Sequence, residues 1–377
     1  MLDDIGRLVR TESPSSDLDA VARSAGEVAA VAAPHLGAAP EVITVDGRTH
    51  LRWRLGSGPR RVLLLGHHDT VWPVGSLAAH PFTVRDGVLR GPGCFDMKAG
   101  LVMAFHALAA LGAVDGVTVL VTGDEELGSP SSRKLIESEA AGCSAALVLE
   151  ASADGGALKT ERKGVSLYEI RVGGRAAHAG LEPHRGVNAG IETAHQILAV
   201  AALSDTGAGT TVTPTLLSAG TTTNTVPAQG RFAVDVRVRD AAEQTRVDTA
   251  LHHLRPVLDG AGVEVTGGPN RPPLPHTASD GLYRRARRLA EDLGIGPLTA
   301  AAVGGASDGN FTAGLGIPTL DGLGAVGGGA HAADEHVIVA ELPRRTALLA
   351  ALVGELLAAD PQPARDSGAT AIGGSAR

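Results

Sequence analysis

The sequence predicts an α/β protein. A mostly parallel sheet, covered by helices, is interrupted by an inserted α+β unit. Three observations predict it. Apolar strand-like runs alternate with helical patterns over residues 61–149, the rhythm of β-α-β units. The middle of the chain switches to strict apolar/polar alternation, which marks half-exposed antiparallel strands. A turn-rich GGPNRPP at 267–273 then returns the chain to α/β patterning.

Taken in order, residues 61–65 (RVLLL) are apolar throughout, as a strand covered on both faces would be. Residues 99–113 (AGLVMAFHALAALGA) read as a buried helix, 117–122 (VTVLVT) as a strand, 131–140 as a helix and 146–149 as a strand. Residues 168–172 and 231–239 (RFAVDVRVR) alternate, with Phe232, Val234, Val236 and Val238 on one face. Two amphipathic helices accompany them, at 187–203 and at 242–258, the latter with Val247, Leu251, Leu254 and Leu258 on one stripe. The expected organisation is an α/β domain from 1–162 and 272–360, an insert over 163–271, and a disordered tail at 361–377.

The chain has 377 residues, 44% of them hydrophobic and 20% charged, which is enough apolar material for large cores. A net charge of −8 with both signs interspersed argues against nucleic-acid or anionic-membrane partners. Two cysteines, Cys94 and Cys143, are too few for a disulfide scaffold. The acidic start MLDDIGRLVRTES has no apolar signal core, and no run approaches the roughly 18 apolar residues of a membrane span. The expectation is a soluble, cytoplasmic protein acting on a small molecule.

The chemistry gathers at strand ends. The strand at 61–65 leads into His67, His68 and Asp69. The strand at 117–122 leads into Asp124, Glu125 and Glu126, and the strand at 146–149 ends in Glu150. The loop GPGCFDMKAG adds Asp96 just before a helix. In open α/β sheets the ligand crevice lies outside the carboxyl ends of the strands, so these groups converge if the strands are neighbours. Several carboxylates and a histidine in a dry crevice call for cations. Two divalent ions answer that need, and zinc accepts imidazole and carboxylate together.

Seven segments, GHHDTVWPVGSLAAHPF, GPGCFDMKAG, GDEELGS, VLEAS, GGRAAHAGLEPHRGVNA, NTVPA with DVRV, and GGGAHAADEHV, run in order from His67 to Val337. Together they closely resemble the zinc-dependent aminoacylase and glutamate-carboxypeptidase family of co-catalytic metallopeptidases. The resemblance implies two Zn2+ ions per subunit, with Co2+ or Mn2+ as substitutes, and an insert that serves as a lid and usually dimerises. It implies that Asp96 bridges the ions, that His67 and Glu150 complete one site, and that Glu126 and His331 complete the other. Asp69 would orient the His67 imidazole, and Glu125 would be the general base. His178 of the insert would donate to the oxyanion, Asn224 would position the substrate, and Arg271 would grip its α-carboxylate. The family's H-x-D spacing selects His67 over His68, and a cis peptide at Asp96–Met97 is expected. Ala99 in place of a common glycine and a bulky Phe95 beside Asp96 are the departures. Glutamate at position 150 resembles the carboxypeptidase and deacylase branches more than the aminopeptidases. The reaction implied is cleavage of an amide beside a free α-carboxylate, of glutamate-carboxypeptidase type, with an N-acyl-amino-acid deacylase as the alternative.

A competing constellation exists. Residues 305–309 read GASDG, a fit to the G-x-S-x-G nucleophile elbow, with an apolar run at 298–303 before it and Asp321 and His331 or His336 after it. It would make Ser307 the nucleophile of a serine hydrolase. Only 24 residues separate Ser307 from His331, however, and the acidic strand ends would have no role.

Overall fold

A six-stranded sheet organises the computed structural model, which describes residues 1–359; the tail expected to be disordered lies outside them. Its spatial order is Glu41–Val45, Arg48–Leu55, Val117–Thr122, Val62–His67, Ala145–Val148 and Thr319–Leu320. The last four strands run parallel, and the first two close the edge as an antiparallel hairpin. Val62–His67 lies between Val117–Thr122 and Ala145–Val148, so the three strands with polar ends are neighbours.

The strands are apolar throughout because each face has its own core. Val62, Leu64, Val119, Val121 and Leu147 pack with the helices Leu18–Leu36, Ala99–Leu111 and Glu341–Ala358. Leu63, Leu65, Leu120 and Ala146 pack on the other side with Ile136 and Phe311. Contact is close at Gly66, where a Cβ would stand 2.8 Å from Leu101 Cδ2 and 2.9 Å from Met97 Cε. A side chain there would push the sheet off the helix that follows Asp96. The stretch Cys94–Leu111 reaches the length and hydropathy of a membrane span, but 72% of it is buried inside the protein, and it is the central core helix.

The insert is a second, antiparallel sheet in the order Thr211–Ala219, Gln229–Val238, Gly164–Gly173 and Gly262–Arg271. Phe232, Val234, Val236 and Val238 are buried together with Tyr168, Ile170, Val172, Val247 and Leu251 in a core of their own. The helix expected over 242–258 is Ala241–His252, so Leu254 and Leu258 lie beyond it. Pro256 is the cause, because it forbids helical backbone at the residue before it.

Other elements had signals that the reading above did not use. Asp46-Gly47 and Asp86-Gly87 carry positive φ at both residues and turn two hairpins, Glu41–Val45 with Arg48–Leu55 and Thr83–Arg85 with Val88–Arg90. Two N-terminal helices, Leu2–Arg10 and Leu18–Leu36, cover the sheet; the second starts on Asp17, whose side chain accepts from Ala20 N.

Candidate metal centre

His67 closes its strand, held in register opposite Thr122. Its Nδ1 lies 3.0 Å from the carbonyl oxygen of Asp69, so Nδ1 carries a proton and the Nε2 lone pair faces inward. There it meets Asp96 Oδ1 at 3.3 Å and Glu150 Oε1 at 3.5 Å. The other oxygen of Asp96, Oδ2, lies 3.3 Å from His331 Nε2, which is 3.1 Å from Glu126 Oε1. Two triads therefore share one carboxylate, one oxygen each. The Asp96–Met97 peptide is cis.

These residues fit a pair of divalent ions. His67 Nε2 and Asp96 Oδ1 are buried without any hydrogen-bond partner. The four donor separations match the edge, about 3.3 Å, of a tetrahedron of nitrogen and oxygen ligands held at about 2.0–2.1 Å. The electrostatics agree. Burial works against charge on His67, yet Asp69, Asp96 and Glu150 hold its pKa well above the ordinary value. Bonds to Asp96 and Glu126 push His331 up to about 10. Positive charge is wanted at both positions.

The three consecutive carboxylates at 124–126 divide their work. Asp124 accepts from the backbone N–H and hydroxyl of Ser131, at 2.7 and 2.6 Å, and from those of Ser132, and so fixes the start of helix Arg133–Ala140. Glu126 faces His331. Glu125 lies close enough to His67 and Glu150 for the three to hold one ion, and is only 8% exposed. Burial, with Asp308 and Glu150 nearby, raises its pKa well above the usual carboxylate value even though Arg271 pulls it down.

Asp69 meets His67 twice: its carbonyl oxygen lies 3.0 Å and its carboxylate Oδ1 3.4 Å from Nδ1, while the carboxylate also accepts the N–H groups of Glu125 and Glu126 at 3.2 Å each and the hydroxyl of Ser15 at 2.6 Å. Its carboxylate thus ties the His67 strand end to the Glu125–Glu126 turn. His68 turns the other way, its Nε2 3.1 Å from Thr49 O, and burial holds its pKa down at about 4.

Arg271 is buried beside Glu125. Its Nη2 donates to Glu125 Oε1 at 2.8 Å, Asp308 Oδ1 at 2.9 Å, Ser129 Oγ at 2.8 Å and the Glu125 carbonyl. Its Nε is buried without a hydrogen-bond partner. Phe95 is buried in the main core.

Ser307 is corrected. It is fully buried, donates to Asp321 Oδ2 at 2.6 Å and accepts from Gly309 N. Among the described residues no imidazole bonds to it. The Gly-rich turn serves to seat Asp308 beside Arg271.

His178 and Asn224 lie together on the insert, both exposed. His178 bridges to Thr225, and the Asn224 carbonyl accepts from Ala179 N. The Nδ1 of His178 accepts the N–H groups of Gly180 and Leu181 at 3.1 Å each, so the ring proton sits on the outward Nε2, ready to donate. Neither residue bonds to the His67–His331 cluster among the described residues.

Sequence reasoning missed Glu335. Its two oxygens accept from Gly93 N (2.9 Å), Phe95 N (2.9 Å), Asp96 N (3.1 Å) and Trp72 Nε1 (2.7 Å), which secures the loop that presents Asp96. It also missed Arg162, whose Nε donates to Asp321 at 2.7 Å and whose Nη2 stands 3.5 Å from Glu150. Glu335 was visible only as the acid four residues after His331, and Arg162 had no signal at all.

The chain is similar to known proteins over most of its length. The family model for Peptidase family M20/M25/M40 matches residues 63–355. Carboxypeptidase G2 of Pseudomonas sp. (strain RS-16) is 33% identical over 316 residues, covering 80% of this chain and 75% of that protein. Succinyl-diaminopimelate desuccinylase of Xylella fastidiosa (strain 9a5c) is 30% identical over 330 residues, covering 80% of this chain and 85% of the relative. Among solved structures, the M20 family metallo-carboxypeptidase Sso-CP2 from Sulfolobus solfataricus superposes with a TM-score of 0.77 at 15% identity, covering 94% of this chain and 99% of that one.

Proposed function

The chain belongs to peptidase family M20/M25/M40, and from that premise we propose that it is a dinuclear zinc carboxypeptidase that cleaves an amide beside a free α-carboxylate and releases a C-terminal amino acid. One observation carries the reading: Asp96 turns one oxygen to His67 and the other to His331, at 3.3 Å each, with Glu125 beside the cluster.

His67, Asp96 and Glu150 would hold one ion, and Asp96, Glu126 and His331 the other. Such a pair, when bound, polarises the scissile carbonyl and acidifies water. The remaining work belongs to the chain. Glu125 takes the proton of the attacking water on its carboxylate and hands it to the leaving nitrogen. Burial keeps its proton affinity high enough for that exchange, and Arg271 together with Asp308 keeps it in place. The Nε2–H of His178 is available to stabilise the developing oxyanion, and the Asn224 amide to orient the substrate.

His178 and Asn224 reach a metal centre when a second copy presents its insert, so the reading includes a homodimer. Ile191 and Leu198 on helix Ala189–Ala201 and Leu216 and Leu217 on the adjoining edge strand are exposed apolar side chains on the insert and support it. The unpaired Cys94 and Cys143 support a cytoplasmic setting. The similarity to succinyl-diaminopimelate desuccinylases supports a second reading, an N-acyl-amino-acid deacylase. Assaying C-terminal glutamyl peptides against N-acyl amino acids, after chelation and after restoring zinc, cobalt or manganese, tests the whole. Metal-independent turnover would sink it, and turnover of acyl substrates alone would replace the first reading by the second.

A further inference from the structure

A second convergence of metal-binding side chains lies outside this centre. Asp4 on helix Leu2–Arg10, His35 in the last turn of Leu18–Leu36 and His106 on Ala99–Leu111 each turn one ligand atom inward, all within 4.8 Å of one another. His35 Nε2 stands 3.2 Å, and His106 Nε2 2.8 Å, from the same atom, Asp4 Oδ2. The two imidazole rings stand with centroids 4.0 Å apart, tilted by 42°.

We propose that Asp4, His35 and His106 bind a third divalent transition-metal ion, zinc by preference, which clamps the two N-terminal helices to the core helix. The donor set is that of an open zinc site, two imidazoles and a carboxylate with one position left for water. The His35–Asp4 separation of 3.2 Å lies close to the tetrahedral edge of about 3.3 Å, and the His106–Asp4 separation of 2.8 Å would open slightly on binding. Side-chain exposures of 18% to 25% leave a path for an ion to enter. His35 sits at the carbonyl end of its helix, where the backbone dipole favours positive charge. The N-terminal ammonium of Met1 stands 3.5 Å from the same Asp4 oxygen and is the cation that an incoming ion would displace.

The site is separate from the catalytic centre. His106 lies seven residues along the helix that begins at Ala99, about 10 Å from its start at 1.5 Å per residue. Its loss leaves the catalytic residues untouched, so its consequence is mechanical. Without the ion the three helices rest on apolar packing and the hydrogen-bonded triad; with it, the N-terminal helices are pinned.

The test counts ions. Full-length protein dialysed against free zinc should hold three ions per chain, and the double variant His35→Gln/His106→Gln two, with peptidase activity unchanged. Hydrogen exchange in Leu2–Arg10 should slow about tenfold when free zinc is ten times the dissociation constant of the third site, in the wild type only. Should the double variant fail to fold, Asp4→Asn keeps the shape and both imidazoles and should likewise lose one ion. Two ions in the wild type, or three in a folded variant, would overturn the proposal and leave a hydrogen-bonded triad. Loss of the catalytic pair alone, with one ion retained in the wild type, would instead count against the dinuclear reading.

Discussion

Glu335→Gln isolates the support of the Asp96 loop. The residue is 3% exposed, and each of its oxygens accepts two N–H groups, so neither has room for a proton and the carboxylate form is the one that the geometry requires. In glutamine one oxygen becomes an amide donor facing two donors: either Gly93 N and Trp72 Nε1, or Phe95 N and Asp96 N. Leaving a buried donor unpaired costs about 1–3 kcal/mol, so the pair costs about 2–6 kcal/mol. Because Asp96 N hangs on the same carboxylate, zinc affinity should fall about 10–100-fold, as when an outer partner of a ligand is removed. Urea unfolding at constant m-value gives the first quantity, and competition with a chelator gives the second. A variant within about 0.5 kcal/mol of wild type and with undiminished zinc affinity would show that the loop holds itself, and the reasoning fails.

Four further outcomes follow. Glu125→Gln should lower kcat by about 10²–10⁴ while zinc content stays at the wild-type value; normal turnover would remove Glu125 as base. Fluorophosphonates should leave the enzyme untouched, because Ser307 is buried and bonded to Asp321, and labelling at Ser307 would contradict that. Mixing Glu125→Gln with His178→Ala should restore about a quarter of full activity if the insert completes the partner's site in a two-fold dimer, whereas cis-acting inserts would restore none. Burial works to raise the Glu139 pKa, but Arg54, Arg52 and Arg60 outweigh it and hold the value below the ordinary 4.5. Its stabilisation is therefore present above pH 4.5 and lost as pH falls through the lower folded value. Unfolding curves of wild type and Glu139→Gln should converge in acid and separate above pH 4.5, and a constant gap would refute the ion-pair account.

Much of the centre was legible because its residues stand at strand ends, where a sequence displays them in order. Apolar runs located the strands, and the polar residues that follow them, His67, Glu125 with Glu126, and Glu150, are the groups that the structure brings together. What stayed hidden was pairing across long sequence distances. Nothing local says that Arg271 will spend its guanidinium on Glu125 and Asp308, or that Ser307 will turn toward Asp321 instead of a histidine. At Asp69 the spacing points to the carboxylate facing His67, whereas its bonds to Glu125, Glu126 and Ser15 had no local signal. The two Asp-Gly turns and Pro256 are a different matter: their signals were local and readable from turn chemistry and helix breaking.

A single carboxylate common to both triads makes ion binding at the two positions thermodynamically interdependent. Whatever occupies one oxygen of residue 96 alters how strongly the other attracts its guest, by the same factor in either direction. The imidazole on one flank is 1% exposed and that on the opposite flank 48%. Loading should therefore be sequential, with a retained ion deep in the fold and an exchangeable one near the surface, so that partial demetallation yields a uniform half-filled species and not a mixture.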